Sequence, residues 1–242
     1  CWGLEFGYDI WANRREQKGT GGVCPQHFPT ILPSNRIAGL GYDGAGNVTW
    51  DPAHSASYTY DAENRMTWTS STLGSATYLY DANSRRVRKT ANGTATDYIY
   101  DLTGSVVAER VGTTWTKGYV YLGGQMLVQY NGVIGAEGAT TYFAHNDHLG
   151  STRLLTTYSG ATHQSYDYLP FGEGPDGTGT TNHLFTGLER DRESWLDHTW
   201  FRKYSSLQGR WLSPDPVDGD LADPQTLNLY SYVGNNPLNW VD

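Results

Sequence analysis

The chain has 242 residues, enough for one large β domain or two smaller ones, and 14% of them are aromatic, with 18 Tyr, 9 Trp and 29 Gly. That composition favours strands and turns over helices. A net charge of −8 argues against the clustered cations that nucleic acid or an anionic membrane demands, and no apolar run reaches the about 20 residues of a membrane-spanning helix.

Residues 1–36 form an N-terminal segment that carries the only two cysteines, Cys1 and Cys24. Thiols this close suit one disulfide in an oxidising compartment. Two unpaired thiols, or a lipid-modified Cys1, are the alternatives that the residues leave open.

Residues 37–144 are governed by a repeat. Tyr58-Thr-Tyr60-Asp61, Tyr78-Leu-Tyr80-Asp81 and Tyr98-Ile-Tyr100-Asp101 stand 20 residues apart, Tyr119-Val-Tyr121 follows at 21, and Tyr42-Asp43 precedes at 18. Each unit predicts a strand with both tyrosines on one face, a turn opened by the Asp, and a return strand with apolar residues at alternate positions. The Asp carboxylate is expected to accept backbone N–H bonds, with Gly or Asn near the third position taking φ > 0. Two strands per repeat make a meandering antiparallel sheet that curls into a spiral and has open ends unless capped. The densest basic run, Arg85-Arg86-Val87-Arg88-Lys89, reads as a solvated strand face.

In residues 145–242 the repeat gives way to other patterns. His145 and His148 flank Asp147, but no third and fourth ligand stands at a recognisable spacing. They read as turn hydrogen bonding and ring packing, with no metal and no cofactor expected. Pro170 breaks one more Tyr-Asp strand begun at Tyr166. Gly174 to Thr181 is a plain loop without the Lys of a phosphate loop. Glu189-Arg190-Asp191-Arg192-Glu193 and the aromatic run from Trp195 to Tyr204 predict a loop pinned by Arg–carboxylate pairs under aromatic cover. A glycosidase-like acid pair is the weaker reading, because acids embedded among arginines are usually salt-bridged.

The Tyr-Asp repeats resemble the YD repeats of the RHS (rearrangement hotspot) family. Three later stretches, Asn146 to Glu173, Phe185 to Pro216 and Leu227 to Asp242, resemble that family's repeat-associated core in order and spacing. The resemblance runs from Gly41 to Asp242. It implies an all-β fold: an antiparallel YD-repeat β-spiral, forming a partial shell, capped by an RHS core plug that spirals inward. It also implies a secreted, extracellular place in a bacterial polymorphic-toxin system, with toxin cargo or secretion machinery as partner and release of a C-terminal cargo by aspartic autoproteolysis. The alternative is an extracellular structural protein, a homo-polymer whose open sheet edges add end to end into a filament or tube.

Two acids match the family's catalytic pair. Asp215 lies in Ser-Pro-Asp-Pro and Asp242 in Trp-Val-Asp. Carboxylates that share a proton let one activate water while the other polarises the scissile carbonyl. The family's second acid is followed by Pro-x-Gly, which the chain lacks. As given, it is expected to be at most a single-turnover autoprotease with nothing to cut. The plainer reading makes Asp215 a turn cap between two prolines and Asp242 the last residue, with Asp218, Asp220 and Asp223 as competing acids.

Overall fold

The computed structural model describes residues 3–132, 141–174 and 179–242. β1 (Gly3–Tyr8) and β2 (Arg14–Gly21) pair as a separate hairpin. Thirteen strands follow, each paired antiparallel with its sequence neighbours in one sheet. They are β3 (Gly41–Tyr42), β4 (Val48–Asp51), β5 (Ala56–Tyr60), β6 (Met66–Ser71), β7 (Gly74–Tyr80), β8 (Arg86–Ala91), β9 (Thr94–Tyr100), β10 (Val106–Val111), β11 (Thr114–Leu122), β12 (Gln125–Asn131), β13 (Thr141–Asn146), β14 (Thr152–Thr157) and β15 (Thr162–Ser165). A second, small antiparallel sheet comprises β16 (Glu189–Asp191), β17 (Leu196–His198), β18 (Lys203–Ser205) and β19 (Arg210–Trp211). The fold is all-β and antiparallel, as expected, and the large sheet runs on across position 145 into β14 and β15. Among the described residues no helix is long and apolar enough to cross a membrane.

The Asp turns are local and form as read. Asp61 Oδ1 accepts the N–H groups of Glu63 and Arg65 at 2.9 and 3.0 Å. The same two-bond pattern recurs at Asp81 with Asn83 and Arg85, at Asp101 with Thr103 and Ser105, and at Asp147 with Leu149 and Ser151. Asp9 repeats it with Trp11 and Asn13, so the N-terminal hairpin is one more unit of the same kind. The third residue after the Asp takes positive φ: Asn64 at 60°, Ser84 at 62° and Gly104 at 90°.

The return strands depart from simple alternation. A register shift accompanies each Asp turn, for example between Leu79 and Tyr80, where Tyr80 pairs with Arg86 but Leu79 pairs with Arg88. The extra residue is a β-bulge, and it brings positions three apart onto one face. Arg86 and Lys89 therefore both point inward and are buried, at 0% and 8% exposure, while Arg88 faces solvent and pairs with Asp97. This corrects the reading of the basic run as a solvated face. Met66 with Thr69 and Met126 with Gln129 are buried pairs built the same way.

The chain that follows β15, called the core below for its position, packs against the inward face of the sheet. Val48 N–H donates to the Leu212 carbonyl at 2.8 Å, Gln129 Nε2 to the Thr180 carbonyl at 3.0 Å, and Thr152 N–H to the Leu184 carbonyl at 3.1 Å. Tyr58, Met66 and Tyr78 pack with Leu196 and Leu212; Tyr119, Met126 and Leu155 pack with Leu184. Within the core, Phe171, Phe185, Tyr204, Trp211 and Tyr232 form an aromatic cluster that Phe6 of β1 abuts. Cys24 is disulfide-bonded. Cys1, the only other cysteine, and residues 175–178 of the glycine-rich loop lie outside the described residues.

Candidate functional site

Two constellations join sheet and core. The first is ionic and lies in the layer of β8 and β9. Arg86 donates from Nη1 to both oxygens of Asp191, at 2.9 and 2.7 Å, and from Nη2 to Glu189 at 2.7 Å. Lys89 reaches Asp191 at 2.9 Å and Glu193 at 3.7 Å, and Lys203 of the core also contacts Asp191. The first tyrosines of two repeats close the ring: Tyr98 donates to Glu189 and Tyr78 to Glu193, each at 2.9 Å. Arg86, Lys89 and Lys203 thus balance Glu189, Asp191 and Glu193, as buried charge requires. Burial penalises the Glu189 carboxylate, but Arg86 and Lys89 outweigh it and hold it at about 2. Asp191 is held well below its usual value in the same way, by Arg86, Lys203 and Lys89 against burial.

The acidic run Glu189 to Glu193 was expected as a pinned loop. Only Arg192 and Glu193 lie in a turn; Glu189–Asp191 pairs as strand β16 against β17, and the expected Arg–carboxylate pinning is there, with Arg190 forked onto Asp197 at 2.8 Å from both Nε and Nη2.

The second constellation holds the two sequence-predicted acids. Asp215 and Asp242 meet on one guanidinium: Arg202 Nη1 lies 2.9 Å from Asp215 Oδ2, and Arg202 Nη2 donates to Asp242 Oδ2 at 3.3 Å. Arg202 is itself fixed over the Trp211 ring, 4.2 Å from its centroid. Asp215 also accepts the Val217 N–H at 2.9 Å, so the turn-cap role read from the prolines is present too. Both acids border a cavity of about 830 Å³ between the core and the turns of β9–β12, with Tyr100, Tyr121, His198 and Trp200 in its wall. His198 stays neutral there, since burial and then Arg86 and Lys203 push it well below its usual value. His145 bonds Thr156 Oγ1 and His148 bonds the Leu238 carbonyl, each through Nε2 and in separate places. The competing acids Asp220 and Asp223 close a local turn with Thr226.

Sequence reasoning did not find Arg202 or the inward role of Arg86. Aligning the repeats supplies a signal for the second: Arg86 stands in the column of Val48, Met66, Val106 and Met126, so a cation there calls for a buried acid.

No family model matches the chain. Over 132 residues it is 30% identical to the tRNA3(Ser)-specific nuclease WapA of Bacillus spizizenii, covering 52% of this chain and 5% of that protein. Over 61 residues it is 46% identical to the toxin subunit YenC2 of Yersinia entomophaga, covering 24% of this chain and 6% of that one. It also matches salivary gland surface protein 1 of Aedes aegypti, 35% identical over 101 residues, 40% of this chain and 3% of that protein. The crystal structure of TcdB2-TccC3-Cdc42 superposes on 99% of this chain with a TM-score of 0.74 at 18% identity, using 13% of the larger chain. The chain has the fold of that part of the toxin complex. The Photorhabdus luminescens Tc holotoxin pore gives 0.73 at 17% identity, again over 99% of this chain and 13% of that one. The chain thus spans a small fraction of each of these proteins.

Proposed function

We propose that this chain is the end-closing segment of an RHS-type β shell in a secreted toxin system. The sheet encloses a C-terminal cargo, and the core plugs one end of the enclosure. The observation that carries this reading is the filled inward face: Arg86 and Lys89 point away from solvent only because Glu189, Asp191 and Glu193 are brought to them by a chain segment about a hundred residues later. A sheet built to face solvent, or to stack on copies of itself, has no use for buried cations. Against the filament alternative, the edge strands β3 and β15 are two and four residues long, a device that blunts strand addition.

The second part of the proposal is release by aspartic self-cleavage. Asp215 and Asp242, gathered by Arg202 beside the cavity, are the pair. One carboxylate takes a proton from water as the water oxygen adds to the scissile carbonyl, and the other, protonated, donates a hydrogen bond to the carbonyl oxygen; as the tetrahedral adduct collapses the C–N bond breaks, and the departing nitrogen takes the proton that the first carboxyl had removed from water. Arg202 keeps the two side chains within reach of one bond.

The closure reading is tested on a longer polypeptide that carries this segment followed by a folded reporter. The reporter is expected to resist added protease until denaturant opens the sheet. Digestion at the rate of the free reporter contradicts enclosure.

A further inference from the structure

We propose that a second cavity, between the Pro25–Leu40 segment and the turn after β4, is a binding site for an arginine side chain of a partner protein. The cavity measures about 680 Å³ and is separate from the Asp215–Asp242 site. This is within the range of small-ligand pockets. Phe28, Pro25, Pro29 and Leu207 give it an apolar wall. Asp51 and Glu173, 3% and 5% exposed, border it, and among the described residues no Lys or Arg lines it.

The polar groups are unequally satisfied. Asp51 accepts hydrogen bonds from Ala53 N–H and Gln208 Nε2, and pairs with His54 Nδ1 at 2.8 Å. Glu173 Oε2 accepts one bond from Gln17 at 2.8 Å, and its Oε1 lies 3.8 Å from the Arg14 guanidinium. Gln208, 8% exposed, leaves Oε1 without a hydrogen-bond partner in the protein, and His27 does the same at Nε2. Burial raises Glu173 above its usual value, against Gln17 and Arg14, and a positive guest beside the carboxyl offsets that cost of burial.

The cavity therefore offers separated acceptors next to an aromatic face. A guanidinium has the complementary inventory: five donors, no acceptor, a flat surface that stacks on Phe, and an apolar stem. An ammonium matches the charge but concentrates its donors on a single atom.

The test is an amide NMR titration of the intact chain with a Gly-Arg-Gly peptide and with its citrulline counterpart, which is isosteric and uncharged. Arginine peptide is expected to shift amides around Phe28 and Gln208 saturably, with citrulline at least about tenfold weaker, a difference of about 1.4 kcal/mol. Phe28→Ala and Glu173→Gln should each weaken binding at least fivefold. Phe28 is 57% exposed, so its truncation reads the site even if Glu173→Gln does not fold. Equal binding of citrulline, indifference to Phe28→Ala, or absence of saturable shifts overturns the proposal. None of these outcomes depends on self-cleavage.

Discussion

Arg86 and Asp191 stand 105 residues apart in the sequence and 2.7 Å apart in space, with neither side chain exposed. The pair fastens the sheet to the core at the layer where the apolar packing on either side is interrupted. Arg86→Met leaves Asp191 buried with Lys89 and Lys203 alone. Breaking a buried pair from one side costs about 3–5 kcal/mol, read as a lower urea midpoint. The control is Arg88→Met, two residues away and 46% exposed, whose loss is expected below about 1 kcal/mol despite its ion pair with Asp97.

Acid sensitivity follows from the same cluster. Glu189 is held at about 2 against an ordinary 4.5, and Asp191 well below 3.8. A carboxylate depressed in the fold contributes stability that is present above its unfolded value and lost as pH falls through its folded one. The melting temperature is therefore expected to fall from pH about 4.5 toward 2, with a shallower slope in Glu189→Gln. Asp197 and Glu173, both raised by burial, titrate in the opposite sense and soften the loss. A flat profile across this range contradicts the assignment.

Gly104 links a repeat turn to the core. Its φ of 90° suits glycine, and a Cβ there would run into the Trp200 ring. Gly104→Ala is expected to destabilise by about 1–3 kcal/mol in thermal unfolding and to change Trp200 fluorescence. Gly112→Ala, at φ 60° with open space around it, isolates the backbone part of that cost.

What the sequence made legible was local. The Asp turns depend on bonds two and four residues away, and the tyrosine period set the strand positions, so both could be read directly. The inward face could not. Alternation assigns Arg86 and Lys89 to opposite faces, and only the bulge at Tyr80, a feature of strand pairing, puts them together. The acids Asp215 and Asp242 were found through a motif resemblance. Arg202, the group that gathers them, carries no local signature because its partners lie 13 and 40 residues on.

Arg202 is expected to matter more for reaction than for stability. Asp215 and Asp242 are 34% and 48% exposed, so their ion pairs add little to folding. Arg202→Gln should leave the urea midpoint nearly unchanged, yet slow self-cleavage of an extended chain by at least about tenfold, a barrier increase of about 1.4 kcal/mol. A variant that cuts at the wild-type rate removes Arg202 from the site.

The proposed release of cargo by self-cleavage rests on Asp215 and Asp242 acting as a pair, and one measurement reads that directly. The chain is continued past Asp242 through a Pro-x-Gly segment into a reporter, and the products are followed by intact mass over time. The account predicts a single cut shortly after Asp242 in the unsubstituted chain and an intact polypeptide in both Asp215→Asn and Asp242→Asn. An uncut parent, or cleavage at the parent rate in either variant, contradicts it.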